Sequence, residues 1–204
     1  MKKSTGLSAQ TVATFAVLFA LVVLLQLFGG YIRIGTTSLN FVLVPIVLGG
    51  ILLGPIAGLL LGLTSGVIVL LCGVFGMDGF TLILVTDHPF ITALTCIGKG
   101  VASGFVPALI YKLLKKKNEK VGLFIASALA PIINTGLFII GALFMSDTLA
   151  GNFLSDGQTV LYFLIIVCAG VNFLVEFAIN LVLSPSLYRV IKAIDKKPSY
   201  AEEE

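Results

Sequence analysis

The chain has 204 residues, 58% of them hydrophobic and 11% charged, with a mean hydropathy of +1.11. Against roughly 45–50% and about 25% in an ordinary soluble domain, these values exclude a soluble globular fold and intrinsic disorder. The net charge of +3 is too small and scattered for a nucleic-acid partner, and Cys72, Cys96 and Cys168 sit in apolar runs that make no disulfide scaffold.

A helix crosses the hydrocarbon core with about 20 predominantly apolar residues. By that yardstick six spans are expected, at about residues 9–28, 39–53, 56–75, 90–114, 121–145 and 159–183, the last continuing towards 194. The second is short and interrupted by Pro45 and Gly49-Gly50, and Gly54-Pro55 then makes a tight break. Lys2-Lys3 ahead of a long apolar run with no small-x-small cleavage site reads as a retained first helix rather than a leader. Almost nothing is left for a soluble domain, so residues 1–204 are expected to form one all-α integral membrane domain.

Six crossings put both termini on one side, together with the Gly54-Pro55 turn and the loop over residues 112–120. Of the 13 Lys and Arg, 11 fall there: Lys2, Lys3, Lys112, Lys115, Lys116, Lys117, Lys120, Arg189, Lys192, Lys196 and Lys197. The opposite loops carry Arg33 alone, with Asp78, Asp87, Asp147 and Asp156. The positive-inside rule therefore places both termini in the cytoplasm of a multi-pass plasma-membrane protein. Lys99 and Glu176 fit neither side and lie within spans.

Helices in lipid associate through close backbone approach at small residues and through hydrogen bonds, because lipid tails are as apolar as leucine. Gly54, Gly58, Gly62 and Gly66 recur every four residues in the third span, and Gly100 and Gly104 repeat the spacing in the fourth, which reads as packing seams. Ala9, Ala13, Ala16 and Ala20 make a second small-residue row on the first span. That row could pack inside the bundle or offer a flat lipid-exposed face on which another membrane protein docks.

Ionisable and amide side chains inside a bilayer usually face the bundle interior or a watery cavity. The fourth span places Thr92, Thr95, Lys99 and Ser103 on one helix face; the fifth has Ser127, Asn134 and Thr135 around Pro131; the sixth has Asn172, Glu176 and Asn180 at four-residue intervals. The simplest packing turns all three stripes onto a common cavity. Lys99 is then on the order of 14 Å from the external edge, and Glu176, on the order of 26 Å from residue 159, lies too deep for easy pairing with it. A lone buried ammonium needs an anionic or carbonyl partner, so Lys99 is expected to contact a ligand, while Ser103 and Asn180 read as interhelical glue.

Two external loops add candidates. The stretch over residues 29–38, flexible and carrying Arg33, could cover a cavity mouth, and Asn40 follows it. Residues 76–89 hold Asp78, Asp87 and the only histidine, His88, and read as a polar loop with a helix cap near Pro89. Adjacent Asp and His rarely converge on one point, and no further ligands suggest a metal. The chain has no G-x-x-x-x-G-K-[ST] phosphate loop, no H-E-x-x-H and no G-x-S-x-G. An enzyme is therefore not expected, no cofactor is implied, and the absence of an inverted repeat argues against a self-contained secondary transporter.

With these features the chain resembles the substrate-binding S components of energy-coupling factor (ECF) transporters over nearly its whole length. The likeness rests on length, six spans, and Pro45 followed by Gly49-Gly50-Ile51-Leu52-Leu53-Gly54-Pro55-Ile56-Ala57-Gly58, a pattern typical of the riboflavin-type branch. Ala16-Val17-Leu18-Phe19-Ala20 is similar to the family's first-helix Ala-x-x-x-Ala motif, which docks on the membrane coupling subunit. The resemblance implies an S-component-like bundle in a bacterial cell membrane that captures a small water-soluble vitamin without ATP. Uptake would be driven by a transmembrane coupling subunit and two ATP-binding subunits. It makes Ala13, Ala16 and Ala20 a partner interface and puts the ligand near the external surface, held by the last three helices and external loops. Lys99, Asn134, Asn172, Glu176, Arg33, Thr95, Asn40, Asp78 and His88 are the candidate contacts. Lys99 with Arg33 would suit a small anion such as pantothenate, with riboflavin the other leading substrate. A secondary transporter and a structural subunit of a membrane complex are the competing readings.

Overall fold

A computed structural model describes residues 8–29, 33–34, 37–38, 41–155 and 157–195. The described residues form α1 (Ala9–Gly29), α2 (Leu43–Leu53), α3 (Pro55–Val74), α4 (Gly79–Asp87), α5 (Pro89–Leu114), α6 (Glu119–Leu143), α7 (Ser146–Asn152), α8 (Val160–Tyr162), a π-helical segment (Phe163–Gly170) and α9 (Val171–Asp195). A two-residue antiparallel ladder pairs Arg33 with Ser38 and Ile34 with Thr37. Among the described residues, five helical stretches are long and apolar enough to cross a membrane: α1, α3, α5, α6 and the run Val160–Val190. The expected second span is represented by a shorter apolar helix: α2 begins at Leu43 and has 11 residues, about 16 Å of helix against a hydrocarbon core of about 30 Å. Gly54 turns the chain at φ +103°, a conformation that favours glycine, and Pro55 starts α3 with its fixed φ. The two helices fold back as a hairpin in which Gly50 approaches the backbone of Gly58.

The glycine row does what its spacing implies, with one exception. A Cβ added at Gly58, Gly62 or Gly66 would strike the carbonyl oxygen of Gly104, Gly100 or Cys96 respectively, and one at Gly100 or Gly104 would strike α3 in return. Helices α3 and α5 therefore meet backbone to backbone, where lipid offers no hydrophobic drive and dispersion contact must do the work. Gly54 is not part of the seam, because it is the turn itself and has open space around it. On α1 the inward face is Leu18 and Val22, packed with Val42, Ile46 and Leu61, and Ser65 Oγ donates to Gln26 Oε1 at 2.6 Å. Gln26 is a polar anchor that the apolar reading of the first span passes over. Ala9, Ala13, Ala16 and Ala20 are all exposed, on the side of α1 facing away from the bundle.

The last span is not a uniform α-helix. Its buried residues run Phe163, Leu164, Cys168, Ala169 and then Asn172, Glu176, Asn180, Ser184, a spacing of five giving way to four. In an unbroken α-helix Phe163, nine residues before Asn172, would lie on the opposite face; the π turns absorb one extra residue and swing it inward. Deleting exposed Ile166 leaves Phe163 eight and Leu164 seven residues before Asn172, a spacing that keeps both inward on an α-helix. The deletion variant is expected to fold with undiminished thermal stability by size-exclusion melting. Loss of folded protein would instead assign the π turns a role beyond accommodating a residue.

Candidate functional site

The stretch read as a polar loop over residues 76–89 is helical over nine residues. Asp78 caps α4 by accepting from the Thr81 N–H at 3.0 Å and from its hydroxyl at 2.5 Å. The Asp78-x-x-Thr81 spacing is a legible capping signal that the loop reading missed. Pro89 then starts α5, and no side chain caps that helix.

Beneath α4 lies a cavity of about 30 Å³, enclosed by Val69 of α3, Phe80, Thr81 and Leu84 of α4, Thr92, Thr95, Cys96 and Lys99 of α5, Phe138 of α6, and Met145. Three threonines and one lysine share the lining of this space, large enough for a couple of water molecules, with apolar side chains. Lys99 Nζ stands 5.3 Å from the Phe138 ring centroid, a cation–π contact, and among the described residues no carboxylate lies within ion-pair distance of it. Thr92 Oγ1 is committed, donating to the Leu84 carbonyl at 2.8 Å and lying 3.2 Å from Met145 Sδ. Thr95 packs against Gly141, where a Cβ would collide with its hydroxyl.

Of the three polar stripes expected to face a common cavity, one lines this space. Thr92, Thr95 and Lys99 line it, but Asn134, Asn172 and Glu176 do not. Asn134 is buried on α6, one turn from Phe138 towards the Lys-rich end. Asn172 Nδ2 donates to the Cys168 carbonyl, Asn180 Nδ2 to that of Glu176 and Ser184 Oγ to that of Asn180, each to the preceding turn of its own chain. Ser103 Oγ likewise donates to the carbonyls of Lys99 and Gly100. Small polar side chains find local backbone acceptors in a helix, so the amide N–H and hydroxyl donors are taken up by the preceding turn, while the Asn180 amide oxygen, like Ser127 Oγ, is buried without a hydrogen-bond partner. The donors of Ser103 and Asn180, expected to bridge helices, are spent on their own helices.

Depth is corrected as well. The Glu119–Lys192 ion pair at 2.9 Å and the packing of Leu123 with Leu187 set α6 antiparallel to α9, which brings Glu176 level with Asn134, while Lys99 lies level with Phe138. The offset between Lys99 and Glu176 is thus about one helical turn, or ~5 Å, rather than most of a leaflet.

His88 and Asp78 stand outside the cavity lining. His88 Nε2 lies 3.0 Å from Asp147 Oδ1, and Asp87 Oδ2 accepts from Thr148 Oγ1 at 2.8 Å. The Thr148 N–H, with help from His88, holds the Asp147 carboxyl below its usual range. A depressed carboxylate contributes its contact above the ordinary value and loses it only as pH falls through the lowered one, so the Asp147 carboxylate stays ionised across neutral pH. No group of three or more metal-ligating side chains occurs among the described residues. Arg33, whose backbone alone is described, and Asn40 contribute side chains outside the described residues. The lining residues that sequence reasoning missed, Val69, Phe80, Thr81, Leu84, Cys96, Phe138 and Met145, are mostly apolar. Only Phe138, one turn from Asn134 on the same face, could have been found by periodicity.

Residues 10–188 match the family of substrate-specific components of ECF transporters. The chain is an ECF transporter S component. Compared directly with curated proteins, the chain matches none. Membership accounts for a membrane-helical protein without a phosphate loop of its own: such a subunit supplies substrate recognition and works with the components of an ECF module.

Proposed function

We propose that this S component captures a small water-soluble vitamin or related micronutrient bearing a negative charge, pantothenate ahead of riboflavin, and delivers it to an ECF coupling module. The observation that carries this reading is the Lys99 ammonium, set in a lined cavity with Phe138 as its only partner among the described residues and three threonine hydroxyls around it. An ammonium in low dielectric is costly without an anion or carbonyl, and a ligand carboxylate supplies one, while the Thr95 hydroxyl offers a donor and an acceptor to hydroxyls and amides and the hydroxyls of Thr81 and Thr92, whose protons are spent, can still accept. Thr95 belongs to the same set. Asn134, Asn172 and Glu176, one turn deeper, and Arg33, Asn40, Asp78 and His88 are assigned supporting contacts once the cavity widens.

The reading takes the chain as one membrane domain with six crossings, α2 being the short second one. Antiparallel packing supports this: α3 runs against α5 by the glycine pairs, α5 against α6 by Thr95–Gly141, and α6 against α9 by Glu119–Lys192. The start of α1 and the end of α9 then share an end with Lys112, Lys115, Lys116, Lys117 and Lys120, while Asp78, Asp87 and Asp147 lie at the other. By the positive-inside rule the first end is cytoplasmic in a bacterial plasma membrane, and the cavity opens outward. The chain itself is no enzyme; a membrane coupling subunit and two ATP-binding subunits would supply the energy.

Purification from cells followed by denaturation and mass spectrometry tests the reading, with a stoichiometric anionic vitamin expected. Accumulation driven by the chain alone with a proton or sodium gradient would favour a secondary transporter, and a ligand-free chain held in a larger complex would favour a structural subunit. The exposed Ala13, Ala16 and Ala20 are proposed to dock on the coupling subunit. Replacing Ala16 and Ala20 with leucine is expected to leave ligand binding within twofold and to abolish uptake in cells co-expressing the module. Loss of binding as well would mean that this face is needed for the fold.

A further inference from the structure

We propose that the bundle holds an internal water molecule between α6 and α9, bound by Ser127 and Asn180 and separate from the cavity under α4. Two side-chain atoms carry the inference. Ser127 Oγ and Asn180 Oδ1 are buried without a hydrogen-bond partner among the described residues, on residues that are 0% and 1% exposed. Such an atom bears its full desolvation penalty, and in folded proteins ordered water is what commonly relieves it. Pro131 adds a third group: it has no N–H, so the Ser127 carbonyl lacks the donor that an unbroken α-helix supplies from four residues on.

The register of the two helices brings these groups together. With Glu119 on Lys192 and Leu123 against Leu187, one further turn sets Ser127 level with Ser184, and Asn180 level with Ala130 and Pro131. Neighbouring side chains cannot serve them. The Ser184 hydroxyl donates to the Asn180 carbonyl at 3.1 Å, and Asn180 Nδ2 to the Glu176 carbonyl at 2.9 Å, so both donors are spent. Ser127 Oγ and Asn180 Oδ1, a donor and an acceptor on facing helices, do not bond each other. One water closes that gap: it accepts from the Ser127 hydroxyl and donates to Asn180 Oδ1 and to the Ser127 carbonyl. About three bonds are the usual complement of a buried water. Ala126 and Ala130 leave room on the α6 side, while Val47, Ile51, Leu123 and Leu187 wall the place off. Ser127 lies about 16 Å along α6 from Phe138, which keeps this water apart from the Lys99 cavity.

The test is X-ray radiolytic footprinting of the full chain in detergent micelles, in which a bound water yields hydroxyl radicals that oxidise the side chains beside it. Leu123 and Leu187, both buried, are expected to be oxidised at least about fivefold faster than Leu18 and Leu61, buried where α1 packs on α2 and α3. Equal rates overturn the water. Ser127→Ala is expected to bring Leu123 and Leu187 down to the Leu61 rate. It is also expected to lower the melting temperature by about 2–4 °C, the shift that one hydrogen bond gives in a chain of this size. A higher melting temperature would overturn the proposal, because deleting a dry, unsatisfied hydroxyl relieves a cost. Should Ser127→Ala fail to fold, the contrast among the leucines of the unaltered chain decides. A melting temperature that rises when sodium replaces choline at equal ionic strength would also overturn it, assigning these oxygens to a metal cation.

Discussion

Leucine in place of Gly62 is expected to abolish recovery of folded protein, whereas alanine at Gly98 or Gly136 leaves stability unchanged. All three are glycines within membrane helices. At Gly62 the added Cβ would overlap the Gly100 carbonyl, an atom held rigidly by the α5 backbone; at Gly98 and Gly136 nothing lies within 4 Å. Overpacking a well-ordered core costs about 1–3 kcal/mol when side chains can yield. Here the obstacle is backbone on a neighbouring helix, so relief requires α3 and α5 to separate, and with them the other glycine contacts of the seam. Even Gly62→Ala is expected to cost on the order of 3 kcal/mol or more, the upper end of that range. Melting temperatures of detergent-purified variants, read from the soluble monodisperse fraction, check the contrast. Equal tolerance at all three positions would mean that the seam is not what holds the bundle.

Replacing Lys99 with alanine is expected to weaken binding of the co-purifying vitamin more than tenfold, or about 1.4 kcal/mol, with melting temperature little changed. The physical reason lies in what Lys99 holds. In the ligand-free geometry its ammonium rests on the Phe138 face, a contact worth about 0.5–2 kcal/mol depending on desolvation, so removing it costs the fold little. A ligand carboxylate at the same ammonium forms a charge-assisted bond in low dielectric, which is stronger and lost entirely on truncation. Lys99→Arg keeps the charge but changes reach and hydrogen-bond geometry, and intermediate affinity is expected. Titration calorimetry separates the three variants. Unchanged affinity in Lys99→Ala would return Lys99 to a packing role, and an affinity loss matched by a large stability loss would show that its role is in the bundle.

Periodicity and charge found the spans because lipid imposes them. A backbone in hydrocarbon must satisfy its hydrogen bonds within the segment, so apolar runs of sufficient length mark the crossing helices, and five of the expected stretches coincide with the observed ones to within a few residues. The exception is instructive: Pro45 and Gly49-Gly50 suit a short helix packed against neighbours, and α2 is largely buried over its 11 residues, so its backbone is shielded by protein rather than by length. The glycine spacing was likewise legible, since four-residue intervals leave few other purposes, and the exposed alanine row results from Leu18 and Val22 taking the opposite face.

The site was legible only in part. Lys99, Thr95 and Thr92 stand out because polar groups in lipid are costly, and they do line the cavity. Asn172, Asn180 and Ser103 stand out for the same reason, yet each finds an acceptor on its own helix. Spacing alone cannot separate a side chain aimed at a ligand from one bonded to the turn before it, because both lie on the inward face. Phe80, Leu84 and Met145 could not be nominated, since apolar residues carry no mark of what they will enclose.

The sequence by itself determined the properties that local and solvent constraints impose: a lipid-embedded helical chain, an asymmetric charge distribution, a glycine seam, and enough of a motif to indicate its family. Tertiary structure alone decided that residues 79–87 form a capping helix, that one extra residue in the last span is taken up as π turns, and that Asp87-His88 meets Asp147-Thr148 across some sixty residues of chain. Those features depend on which helix lies beside which, and the pairing of helices is set by packing between surfaces distant in sequence, information that no single segment contains.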